Sequence, residues 1–138
     1  MRLFVDANTL VSALVFEGNE SLLLDMCRLG VCSLVTNEYV REEVRDVLSR
    51  PRLDLSAEEK DGAMAILARY IVVLDDPPIE TIKAARGRVT DEADLPILVG
   101  FELSGCDFLV TGDRRLRRLV PKAITTREAL RLAIGHIP

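Results

Sequence analysis

The chain has 138 residues, 49% of them hydrophobic and 29% charged, which fits one domain over residues 1–138 with a sizeable core and excludes a two-domain enzyme or a disordered chain. Eighteen Lys and Arg against 22 Asp and Glu leave a formal net charge of -4, an argument against a nucleic-acid partner unless the charges are locally segregated. Three Cys and a single His cannot complete a zinc site or support triad chemistry, and free thiols together with an N-terminus that reaches Asp6 straight after Leu3-Phe4-Val5 make a soluble, cytoplasmic protein with no membrane association the expectation.

In chain order, residues 3–5 read as a strand, followed by helices over 8–15 and 20–29, with Gly30 placed to cap the second. A strand is expected over 31–35, a helix over 37–48, a helix over 57–70 and a strand over 71–74, with Pro51 and the Pro77-Pro78 pair punctuating the joins. Helices over 79–86 and 95–104 follow, the latter ended by Gly105, then strands at 108–110 and 123–124 and a last helix over 126–134. The strand runs are continuously apolar, as in strands covered by helices on both faces. The fold class is therefore α/β, a three-layer α/β/α arrangement with a mainly parallel sheet of about five strands.

In such sheets ligands bind beyond the carboxyl ends of the strands. Asp6 ends the first run, and Asp113 follows the run at 108–110 through Thr111 and Gly112. A turn or cap is the ordinary reading of each alone. Asp94 opens the most apolar helix, beside Asp91 and Glu92, and is open to two readings, a helix cap or a cation ligand. On the helix over 37–48, Val40, Val44, Val47 and Leu48 fall on one stripe, which puts Glu43 on its border and Glu42 nearly opposite. A half-buried Glu43 needs a cation, a hydrogen-bond donor or an Arg partner. Four carboxylates, Asp6, Glu43, Asp94 and Asp113, gathered at one sheet edge suit Mg²⁺ or Mn²⁺, which prefer oxygen ligands and activate water against phosphoryl groups without His or a protein nucleophile.

These segments resemble the PIN-domain ribonucleases, and within them the VapC-like toxin components of toxin–antitoxin pairs. Leu3-Phe4-Val5-Asp6-Ala7-Asn8-Thr9-Leu10 is similar to the family's opening strand and first acid. Thr36-Asn37-Glu38-Tyr39-Val40-Arg41-Glu42-Glu43-Val44 is similar to the helix of the second acid, where the spacing selects Glu43. Asp91-Glu92-Ala93-Asp94-Leu95-Pro96 and Val110-Thr111-Gly112-Asp113-Arg114 resemble the third and fourth motifs. The resemblance implies a metal-dependent endoribonuclease with Asp6, Glu43, Asp94 and Asp113 as catalytic and metal-binding acids. Asn8 and Thr111 would orient them, Mg²⁺ or Mn²⁺ would be the cofactor, and a cognate antitoxin and a homodimer would be the partners. Asn37 replaces a frequent Ser, and Asp91 stands beside Asp94 as a second candidate ligand.

Arg114, Arg115, Arg117, Arg118 and Lys122 follow Asp113, and Arg86 and Arg88 precede Asp91. They form a candidate basic rim for an RNA backbone around an acidic floor, or else an ordinary solvated helix face. Leu22, Leu23 and Leu24 are candidates for a dimer face. Two other functions stand beside the nuclease. A phosphoacceptor receiver module would use Asp75 or Asp76, but it calls for paired acids after the first strand and a Lys ending a late one. A PIN fold that only binds partners is the second. An acid phosphatase with an Asp nucleophile would need a proton donor where Asn8 stands.

Overall fold

The computed structural model describes residues 1–137. Five parallel strands, β1 (Arg2–Val5), β2 (Ser33–Asn37), β3 (Ile71–Leu74), β4 (Phe108–Val110) and β5 (Ala123–Ile124), form one sheet in the order β3-β2-β1-β4-β5. In the central strand, Phe4 sits between Val35 of β2 and Leu109 of β4. Leu3, Phe4 and Val5 are each 1% exposed or less. Successive strand residues face opposite sides, so burial of all three requires helices on both faces.

The helices are α1 (Ala7–Val15), α2 (Asn19–Arg28), α3 (Glu38–Leu48), α4 (Ala57–Tyr70), α5 (Ile79–Ala84), α6 (Leu95–Ser104), α7 (Arg114–Leu119) and α8 (Thr126–Gly135). One group packs α1 against α2, α3 and α4, with α8 against α2, while α5 and α6 pack together and α6 lies on β2. On α3, Val40, Val44, Val47 and Leu48 are buried as one stripe. Helix α6 buries residues on every side, among them Leu95, Leu98, Val99 and Phe101, which its nearly uninterrupted apolar sequence demands. It comes close to the sheet because position 100 is Gly. A Cβ there would stand 2.5 Å from Asn37 Nδ2 and 3.3 Å from the Phe4 ring.

Three expectations shift. The second strand is Ser33–Asn37 rather than 31–35. Gly30, at φ 79°, turns the chain so that Val31 N–H donates back to Met26 O at 2.9 Å. The strand then continues through Thr36 and Asn37, which are polar yet buried. The Thr36 hydroxyl donates to Val5 O, and Asn37 caps α3 by accepting from Val40 N–H. The short basic helix α7 is an addition to the expected elements. Of the leucines considered for a dimer face, Leu23 and Leu24 are 1% and 5% exposed, held in the core on the inner face of α2, and only Leu22 is exposed. Among the described residues no helix is long and apolar enough to cross a membrane.

Candidate active site

From β1 the chain moves one way along the sheet to β2 and β3, and from β4 the other way to β5. The reversal opens a crevice at the carboxyl ends of β1 and β4, where ligands bind in open α/β sheets. A cleft of about 280 Å³ lies there, lined by Asp6, Asn8, Glu43, Asp94 and Asp113, with Ile97 and Leu116 as apolar walls. All four expected acids, from four separate segments, therefore border one space. Asp91 is not among the lining residues.

Asp6 is the buried N-cap of α1, and its Oδ1 accepts from Thr9 N–H at 3.0 Å. Its Oδ2 accepts from the hydroxyl of Thr111, a fully buried residue whose oxygen in turn accepts from Asp113 N–H at 3.0 Å. Thr111 thus links the ends of β1 and β4 through one hydroxyl. Asp113 caps α7, its Oδ1 accepting from the amides of Arg115 and Leu116. Partial burial alone would raise the Asp113 carboxyl, but those amides and the Arg115 guanidinium hold it below its ordinary value.

Glu43 is half-buried beside the exposed Glu42, which pairs with Arg45. Burial pushes the Glu43 carboxyl up, and the charge of Asp6 adds to this. Arg50 opposes it, and Asp46 and Asp94 raise it further. Asp94 ends a 3-10 turn (Glu92–Asp94) at the N-cap position of α6, yet its side chain makes no capping hydrogen bond. Its carboxylate instead borders the cleft. Burial raises its carboxyl as well, Arg115 offsets part of that, and Asp113 and Asp91 add to the rise. Asp91 is more exposed and caps the turn by accepting from Ala93 N–H at 3.0 Å. Asn8 is exposed at the cleft wall.

Among the described residues, no three carboxylate, imidazole or thiolate groups stand close enough as placed to hold one ion. The acids face one space without closing on a common point, and the oxygens of Asp6 and Asp113 are turned to protein donors. The donor set nonetheless fits a hard divalent cation. It is all oxygen and partly buried, and the carboxyls of Glu43 and Asp94 are raised by burial and by the neighbouring acids, negative charge that Arg50 and Arg115 only partly offset.

The arginines around the cleft are largely engaged with the protein itself. Arg88 forms a two-pronged pair with Glu102 at 2.7 and 2.9 Å, and Arg86 lies 3.8 Å from Glu92. Arg117 donates to Thr111 O at 3.1 Å. Arg115 Nη2 lies 3.9, 3.8 and 3.4 Å from oxygens of Asp91, Asp94 and Asp113. Arg114 and Arg118 are exposed and form no ion pair among the described residues. Sequence reasoning placed Arg115 and Arg117 on the rim and passed over Tyr39. The Tyr39 phenol is raised by burial and then by Glu43, Asp91 and Asp94, and its place four residues before Glu43 on the same helix was the available signal.

A family model described as the PIN domain matches residues 2–115. Among solved structures, the crystal structure of PAE2754 from Pyrobaculum aerophilum is similar with a TM-score of 0.76 at 24% identity, over 98% of this chain and 90% of that one. The crystal structure of VapBC2 from Rickettsia felis, bound to a DNA fragment from their promoter, is similar with a TM-score of 0.60 at 16% identity, over 91% of this chain and 97% of that one. No curated protein matches.

Proposed function

The chain belongs to the PIN domain family, and from that premise we propose that it is a divalent-metal-dependent endoribonuclease, the toxin of a toxin–antitoxin pair. The observation that carries this reading is the convergence of Asp6, Glu43, Asp94 and Asp113 on one cleft at the switch point of the sheet. These four would hold Mg²⁺ or Mn²⁺, which when bound polarises a phosphoryl oxygen and lowers the pKa of an attacking water. Asp6 is fixed by Thr9 and Thr111, so its remaining lone pairs are aimed rather than free to rotate. The same Thr111 hydroxyl accepts from the Asp113 backbone N–H, while the Asp113 carboxylate is held by the amides of Arg115 and Leu116. In this reading Glu43 or Asp94, whose carboxyls burial raises, would accept a proton from the attacking water. Exposed Arg114 and Arg118 would meet the phosphates of a single-stranded or looped RNA. The same reading takes the chain as one cytoplasmic domain that forms a homodimer and is silenced by an antitoxin. Asp76 already accepts from Tyr39 N–H at 2.8 Å and lies beside the edge strand β3, outside the acid cleft, so nothing favours the phosphoacceptor reading.

Purified protein freed of any antitoxin is expected to cut single-stranded or looped RNA with Mg²⁺ or Mn²⁺ and to stop when EDTA is added. Asp6→Asn and Asp113→Asn each keep a capping oxygen for their helix, so both should still fold cooperatively, with a somewhat lower melting temperature from the altered contacts to Thr111 and Arg115, while cutting is abolished. Cutting at the wild-type rate by both variants would refute the nuclease assignment.

A further inference from the structure

We propose that Arg115 is the resident counter-ion of the acid cluster, holding Asp94 and Asp113 in the cation-free protein and giving way when a divalent cation enters the cleft. This rests on the metallonuclease reading above and adds a control on its metal site. A single nitrogen, Arg115 Nη2, stands 3.4 Å from Asp113, 3.8 Å from Asp94 and 3.9 Å from Asp91, and so ties the loop before α6 to the start of α7. Its own amide donates to the other oxygen of Asp113 at 2.8 Å, which fixes the backbone from which the guanidinium returns. The other arginines of α7 do not share this role. Arg117 is turned to Thr111 O, and Arg114 and Arg118 make no ion pair among the described residues.

The hold is loose. All three separations exceed those of a close charge-assisted hydrogen bond, and the Arg115 side chain is 58% exposed. A guanidinium and a divalent cation within a few ångströms of the same carboxylates repel each other, so binding of one weakens the other by the same factor. The released side chain has somewhere to go. An adjoining cleft of about 340 Å³ is lined by Arg115 with Arg88, Arg118 and Leu119, and it shares Asp94 and Leu116 with the acid cleft.

The test is a titration of EDTA-stripped full-length protein with Mn²⁺, read by calorimetry or by the electron paramagnetic resonance of free ion, and it needs no substrate. Arg115→Gln should tighten Mn²⁺ binding roughly three- to tenfold, since it removes three weak opposing pairs. Arg115→Lys, which keeps a charge but loses the planar fork, should fall between Gln and wild type. Arg114→Gln, which removes the same charge from the same helix, should stay within about twofold of wild type. Without cation Arg115→Gln should melt below wild type, and saturating Mn²⁺ should narrow the gap. Equal effects of the Arg115 and Arg114 variants, or unchanged affinity in Arg115→Gln while wild type takes up Mn²⁺, would overturn the proposal and leave the nuclease reading standing. No uptake of Mn²⁺ by wild type would remove the metallonuclease reading and this inference with it.

Discussion

Thr111 makes two hydrogen bonds with one buried oxygen, donating to Asp6 and accepting from Asp113 N–H. Val has nearly the same shape and neither capacity. Thr111→Val would leave a carboxylate oxygen and an amide without partners, at a cost of about 1–3 kcal/mol. It would also leave the Asp6 carboxylate held by Thr9 N–H alone and release the backbone amide of Asp113, so RNA cleavage should fall about 10–100-fold. Thr111→Ser restores the hydroxyl and should recover most of both losses, as measured by urea unfolding and a cleavage assay; a Ser variant as impaired as Val would show that shape rather than hydrogen bonding matters there. At this scale the sequence was informative wherever burial decides. Glu43 and Glu42 are adjacent, but the stripe of Val40, Val44, Val47 and Leu48 places Glu43 beside the core and leaves Glu42 on the surface with Arg45. It was silent on the orientation of exposed cations. Nothing in Arg114-Arg115-Leu116-Arg117-Arg118 distinguishes the side chain that returns to the acids from the one that meets Thr111 O, because a loop and a neighbouring strand end supply those contacts.

At the scale of elements, the contact between α6 and β2 turns on Gly100. Gly within a helix ordinarily costs about 1 kcal/mol relative to Ala, so Gly100→Ala would stabilise an exposed helix. Here the new Cβ meets Asn37 Nδ2 at 2.5 Å and the Phe4 ring at 3.3 Å. Asn37 is 1% exposed and has no room to yield. Its Nδ2 donates to Pro96 O in α6, and its Oδ1 caps α3, the helix that carries Glu43. Overpacking should outweigh propensity, lowering stability by about 1–3 kcal/mol in thermal or urea unfolding; a variant as stable as wild type would mean that the two elements separate easily. Most elements were legible because their apolar patterns are long, as with α4 and α6, whose limits match those expected. Helix α7 was not, since its six residues bury only Leu116 and offer no period to detect. The start of β2 was misplaced because Val31 and Cys32 look like strand while the pairing begins at Ser33, and the strand ends on polar residues whose partners come from β1 and α3.

For the whole molecule, the net charge of -4 conceals a local concentration of carboxylates, and this gives its stability a particular dependence on pH and cations. Glu43 and Asp94 have carboxyls raised above their ordinary values of 4.5 and 3.8. A raised carboxyl contributes stability that is present below its ordinary value and lost as the pH climbs through the raised one. Asp113 runs the other way. Held low, it contributes stability above its ordinary value of 3.8 and loses it on acidification. From mild acid to neutrality the cation-free protein therefore loses the contribution of Glu43 and Asp94 while Asp113 stays ionised. A divalent cation that binds the ionised cluster in the folded state alone should restore that stability. The melting temperature should rise on adding Mg²⁺ in excess at pH 7, and rise less near pH 4.5, where Glu43, raised above that value, keeps much of its proton. Asp6→Asn, with one charge fewer in the cleft, should show a smaller increment at pH 7. The measurement is a set of melts with Mg²⁺ or EDTA at each pH and at constant ionic strength, because screening by added salt would otherwise mimic binding. An increment of equal size at both pH values would place the cation effect outside this cluster.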